Sequence, residues 1–353
     1  MRKAYLVFSD GTVFEGEGFG AEVSGIGEIV FNTSVVGYLE TLTDPGYAGQ
    51  IVVQTFPLIG NYGVIEEDFQ GPCCVNGYVV REWCDAPSNF RCQGDLDAWL
   101  KEQGVPGICG VDTRAITRKI RNGGVTNAMI CAELPEDLSV IKNYRYSGGV
   151  AALTCSEPVV YAAEGDEKHH VVLIDYGARR NLALELNKLG CKVTCVSAAA
   201  SADEILAMQA DGVLLSNGPG DPTENIACIA EIGKLLGKVP VLGVGLGHLM
   251  AALAMGAEVE KMPYGHRGSS QPVKEADGSH TYITSQNHGY AVVADSVSKG
   301  VIRFVNANDG TCEGIDYPEL NAFTVQFHPE SGAGPLDTSF VFKRFISMMG
   351  GEN

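Results

Sequence analysis

The chain has 353 residues, 45% hydrophobic and 19% charged, which describes a soluble globular protein long enough for two domains and excludes a disordered one. Twenty-five basic residues against 43 acidic ones give a net charge of −18, which argues against nucleic acid or an anionic membrane surface as a partner. No apolar run reaches the ~20 residues of a membrane helix, and Ala4 to Phe8 is too short for a signal-peptide core, so a cytoplasmic protein is expected.

Residues 1–155 carry short alternating apolar segments broken by Gly, Pro and Asn-Gly, among them Glu28 to Phe31, Gln50 to Val53 and Gly77 to Val80. These predict a mixed, β-rich domain. Within it Asp112 to Ile120 reads as a helix with Ile116 and Ile120 four apart and a stop at Asn122-Gly123-Gly124, and Leu96 to Gln103 as another before Gly104. Residues 156–169 read as a linker. From 170 to 353 the pattern becomes strand, helix, strand: His170 to Asp175, Arg179 to Lys188, Lys192 to Val196, Asp203 to Ala210, Gly212 to Leu215, Glu224 to Leu236 and Val239 to Val244. Strands apolar throughout and alternating with helices predict an α/β domain with a doubly wound, mostly parallel sheet. The eleven cysteines have no paired C-x-x-C spacing, so buried free thiols are expected and no metal site.

Three segments of the second domain could carry chemistry. Ser216 to Pro222 (SNGPGDP) follows a strand, where ligands of open α/β sheets sit, and its glycines allow close approach of backbone amides to an oxyanion. Leu242 to Met250 runs from strand to helix through Gly243, Gly245 and Gly247, the shape of a nucleophile elbow, with Gly245 at the position of the nucleophile. The spacing of a dinucleotide-binding G-x-G-x-x-G fails there because Leu249 or Met250 follows His248. Phe323 to Ser331 is a strand ending in His328-Pro329-Glu330, a base and the carboxylate that can orient it. His248, His266 and His288 read as structural hydrogen-bonders.

In order, SNGPGDP, the elbow, GHRG at 265–268, SQNHGY at 285–290 and VQFHPES at 325–331 resemble the class I glutamine amidotransferases. FNTSVVGYLETLTDPGYAGQIV at 31–52, PLIGNYGV at 57–64, GVDTRAITRKIR at 110–121 and DYGARRN at 175–181 resemble the carbamoyl phosphate synthetase small subunit, whose N-terminal domain other amidotransferases of the class lack. The resemblance implies ligase chemistry in arginine and pyrimidine biosynthesis. An elbow cysteine attacks glutamine, and the released ammonia passes to a partner large subunit, on which ATP and Mg are expected; no cofactor is expected in this chain. It further implies His328 as base, Glu330 as its orienter, oxyanion amides at Gly218 and Leu246, and a glutamine pocket lined by Gly220, Asn287, Gly289 and Tyr290.

Three positions depart from that pattern. Gly245 replaces the cysteine, Leu249 replaces a glutamine-binding Gln, and Gly46, after Asp44-Pro45, replaces a pocket Ser. The expectation is therefore a small subunit whose glutaminase step is lost and whose complex is ammonia-dependent. The alternatives are an active glutaminase working by another route, and a binding or regulatory protein without a synthetase partner.

Overall fold

The computed structural model describes residues 2–350; Met1 and the last three residues of the expected second domain lie outside the described residues. The chain forms two compact units, the first ending at Tyr146 and the second beginning at Ser147. The boundary expected after residue 155 thus lies earlier. Residues 149–153 form a short helix whose Val150 packs into the second unit's core, and the expected linker carries the edge strand Val159–Tyr161. Val150 packs in the apolar cluster on one face of the second sheet, and the edge strand pairs antiparallel with Cys191–Ser197.

In the first unit seven strands close into a barrel, in the order Arg2–Phe8, Val13–Gly20, Pro106–Cys109, Gly77–Val79, Gln50–Gln54, Gly25–Asn32 and Thr126–Cys131, which pairs back onto Arg2–Phe8. Closure leaves this sheet no unpaired edge. Val30, Val52, Tyr38, Tyr47 and Tyr78 fill part of the core. The predicted helices are Leu96–Glu102 and Thr113–Gly123. Each starts on an aspartate that accepts a backbone N–H of the first turn, Asp95 from Ala98 at 2.8 Å and Asp112 from Ala115 at 2.9 Å. The second helix buries Ile116 and Ile120, as their spacing requires.

In the second unit five strands run parallel in the order Cys191–Ser197, His169–Asp175, Gly212–Leu215, Val241–Val244 and Ala322–Val325. Alternate residues of each strand go to opposite faces. Val172, Ile174, Val213 and Leu215 pack with Ile205, Ile232 and Leu249, whereas Val171, Leu173, Leu214 and Leu242 pack with Leu182, Leu186, Val341 and Phe345. Helices therefore cover both faces, which is the doubly wound arrangement. Beyond the parallel core the sheet continues antiparallel, through Cys312–Tyr317, Val301–Asn306, Val259–Glu275 and Thr281–Val292. That extension carries two of the motifs singled out in the sequence. Among the described residues no helix is long and apolar enough to cross a membrane.

Candidate functional site

The site is assembled at the carboxyl ends of the parallel strands of the second unit. Val241–Val244 ends at Gly245, and helix Leu246–Ala254 begins at once. Gly245 has φ 58° and ψ −111°, a region that residues with a β-carbon adopt only under strain. Its N–H donates to the carbonyl of Val325 at 2.9 Å, which ties the turn to the neighbouring strand. A β-carbon built there would lie 3.1 Å from Asn217 Cβ and 3.9 Å from His328 Cε1. The nucleophile position and the predicted base are therefore neighbours.

His328 follows the strand Ala322–Val325, and its N–H donates to the carbonyl of Ser285 at 2.9 Å, anchoring it to the antiparallel extension. Its Nδ1 lies 3.0 Å from Glu330 Oε1. Nδ1 must donate to that carboxylate, so the neutral ring carries its lone pair on Nε2. Nε2 is buried and has no hydrogen-bond partner among the described residues. This is the protonation state of a base, held ready by an oriented carboxylate.

Sequence reasoning missed Arg179, which it read only as a helix start. Its Nη1 is 3.1 Å from Glu330 Oε1, its Nη2 donates to the carbonyl of Ser331 at 3.0 Å, and its backbone N–H donates to Asn217 Oδ1 at 3.0 Å. Burial alone would raise the Glu330 carboxyl, but His328 and the Arg179 guanidinium outweigh it and hold the group below the usual glutamate value. Arg179 lies in the DYGARRN motif, but nothing in that motif marks which of its charges the core encloses.

Gly218 lies against the same turn. A β-carbon there would meet Tyr176 O at 2.2 Å and Leu246 Cδ2 at 2.8 Å, so only glycine fits. Leu246 opens the helix, where first-turn amides have no intrahelical acceptor. Gly220 has φ 87° in the loop above. Asn287, Gly289 and Tyr290 lie on Thr281–Val292, and the Tyr290 hydroxyl donates to Asp221 Oδ2 at 3.1 Å, joining that strand to the loop. Leu249 is 3% exposed and packs in the apolar cluster with Leu246 and Met250. Gly46 belongs to the first unit, in the short turn Pro45–Tyr47, where its N–H donates to Asp44 Oδ1 at 2.8 Å. All eleven cysteines are free, and none lies on the elbow.

Residues 6–130 match the family described as carbamoyl-phosphate synthase small chain, CPSase domain, and residues 172–348 match glutamine amidotransferase class-I. The chain is 44% identical to the carbamoyl phosphate synthase small chain of Bacillus thuringiensis subsp. konkukian, covering 98% of this chain and 96% of that one. It is 46% identical to that of Staphylococcus epidermidis (99% and 96% covered) and 44% identical to that of Listeria monocytogenes serotype 4b (100% and 98% covered). Barrel unit, amidotransferase unit and near full-length similarity agree: the chain belongs to the carbamoyl phosphate synthase small chain family and carries a class I glutamine amidotransferase domain.

Proposed function

We propose that this chain serves as the small subunit of a carbamoyl phosphate synthase whose glutamine-hydrolysing step is lost, so that the complex draws on free ammonia. One observation carries the reading. The elbow is folded, with its turn, helix start and His328–Glu330 pair in place, and the residue at its apex is Gly245, which has no side chain to attack an amide carbon. Removing a triad nucleophile elsewhere lowers turnover by about 10⁶. What remains can orient a proton acceptor and offer helix amides to an anion, but it cannot form the thioester. Leu249, enclosed in apolar surroundings, adds to the reading because it offers no polar atom to a glutamine side chain.

The partner is a large synthetase subunit, on which the ATP and Mg chemistry resides, and this chain contributes no cofactor of its own. The experiment is reconstitution of the chain with a large subunit. Carbamoyl phosphate should form from ammonium and not from glutamine, with no glutamate release. Glutamine-dependent synthesis at a rate matching the ammonium-dependent one would overturn the reading. Failure to associate with any large subunit would favour a binding or regulatory role.

A further inference from the structure

The antiparallel extension buries a second polar cluster that the reaction does not use. His266 on Val259–Glu275 faces His288 on Thr281–Val292 as a direct cross-strand pair, with Glu313 from Cys312–Tyr317 beside them. Ligand atoms of the three residues lie within 4.8 Å of one another, and all three are buried. Glu313 Oε1 is 3.3 Å from His266 Nδ1 and 4.0 Å from His288 Nε2.

The protons of this cluster do not balance. Thr284 Oγ1 donates its proton to the carbonyl of Gln271 at 2.9 Å, so it can only accept from Gln286 Nε2 at 3.1 Å. This fixes Gln286 with Oε1 towards His288 Nε2, at 2.9 Å. His288 Nδ1 faces the carbonyl oxygen of Tyr290, also at 2.9 Å. Both ring nitrogens thus meet oxygens that only accept, whereas a neutral imidazole has a single N–H. Glu313 Oε2 is buried and has no hydrogen-bond partner among the described residues.

We propose that this cluster is a divalent-metal site of the kind zinc occupies, with His266 Nδ1, His288 Nε2 and Glu313 as ligands and Gln286 Oε1 beside the fourth position. A cation takes the lone pair of His288 and the Glu313 carboxylate together. Zinc bonds of ~2.0–2.2 Å set ligand–ligand edges of about 3.3–3.6 Å in a tetrahedron. The separations of 3.3, 4.0 and 2.9 Å bracket that edge. The outer contacts are those of metal-bound histidines, whose second nitrogen donates to a carboxylate or carbonyl. His266 Nε2 meets Asp309 Oδ2 at 2.9 Å, and His288 Nδ1 meets the Tyr290 carbonyl. Asn306 Nδ2 lies 3.1 Å from Glu313 Oε1 and 3.3 Å from His266 Nδ1; on metal binding it keeps the first contact and gives up the longer one. Glu313 and Asp309 supply two negative charges against the opposing Arg267. The sequence reading expected no metal because no ligand spacing repeats; three separate strands, not one motif, bring these ligands together.

The test is metal uptake by the full chain, dialysed and titrated with cobalt(II) and then zinc(II). About one equivalent should bind, with the visible bands of tetrahedral cobalt and no thiolate charge transfer, and zinc should displace it. His266→Ala and His288→Ala should abolish uptake, Asp309→Asn should weaken affinity by about 10–100-fold, and His170→Ala, on a different strand, should leave it unchanged. No stoichiometric uptake, uptake persisting in both histidine variants, or thiolate bands from the cysteines would each overturn the proposal. If a histidine variant does not fold, the unsubstituted chain and Asp309→Asn decide.

Discussion

His328 Cε1 lies 3.9 Å from the point where a β-carbon would leave Gly245, and that point carries only hydrogen. The His328–Glu330 pair therefore faces an elbow apex that offers no side chain.

A side chain at that apex should destabilise the fold. At φ 58°, and with Asn217 Cβ 3.1 Å away, Gly245→Ala is expected to lower stability by about 1–3 kcal/mol. The opposite sign is expected for Gly233→Ala, on helix Ile226–Leu235, where a β-carbon would meet nothing closer than 4.0 Å and the helix gains about 0.5–1 kcal/mol. Thermal unfolding of the two variants side by side checks this. Equal melting temperatures would remove the strain account of the elbow.

Restoring the nucleophile alone should restore little hydrolysis. Gly245→Cys supplies a thiol beside His328, but the apolar Leu249 has no polar atom with which to pair a substrate amide, a lack expected to cost about 1–3 kcal/mol. Adding Leu249→Gln should raise glutamate release by roughly 10–10² over the single variant. If the single variant matched the double one, Leu249 would have no bearing on glutamine.

Glu330 should stabilise the second unit at neutral pH and cease to do so in acid. Its carboxyl titrates below the usual value, so the folded state binds fewer protons than the unfolded one. Its contribution is complete above the unfolded value of about 4.3 and is lost as pH falls through the lower folded value. The gap in denaturant stability between the unsubstituted chain and Glu330→Gln should be large at neutral pH and should narrow in acid. Arg179→Met should cost about 3–5 kcal/mol at neutral pH, because it leaves a buried carboxylate uncompensated. A gap independent of pH would mean that Glu330 is not charged in the fold.

His248 should add a separate pH dependence. It is buried with Nδ1 2.8 Å from Thr324 Oγ1, and burial pulls its pKa down to about 3. The unfolded chain takes up this proton near pH 6.5, so the folded state loses stability from there down towards about 3. His248→Gln should flatten the stability profile over that window. An unchanged slope would show that His248 does not contribute to it.

Much of this was legible in the sequence because it is periodic or local. Unbroken apolar strands such as Val171 to Ile174 can only be buried on both faces, and the Ile116–Ile120 spacing can only be one side of a helix. The elbow was legible because a glycine-rich strand-to-helix turn has few other uses. The barrel closure was not, since pairing Thr126–Cys131 with Arg2–Phe8 joins segments more than a hundred residues apart with no local mark. The role of Arg179 was hidden for the same reason, as its partner Glu330 is distant in the chain and nothing near Arg179 announces a buried charge. The early start of the second unit, at Ser147, depends on where Val150 finds its neighbours, which composition cannot reveal.

The seat of Leu249 has a consequence for how the family member could change over generations. A residue with a β-carbon at 245 alone would introduce backbone strain at φ 58°. Leu249→Gln alone would bury an amide among Leu246, Met250 and Ile232, at about 1–3 kcal/mol if unpaired. With Gly at 245 the turn is unstrained and with Leu at 249 the cluster is filled, so either substitution alone loads the structure. The packing works as a ratchet that holds Gly245 and Leu249 in place against single changes.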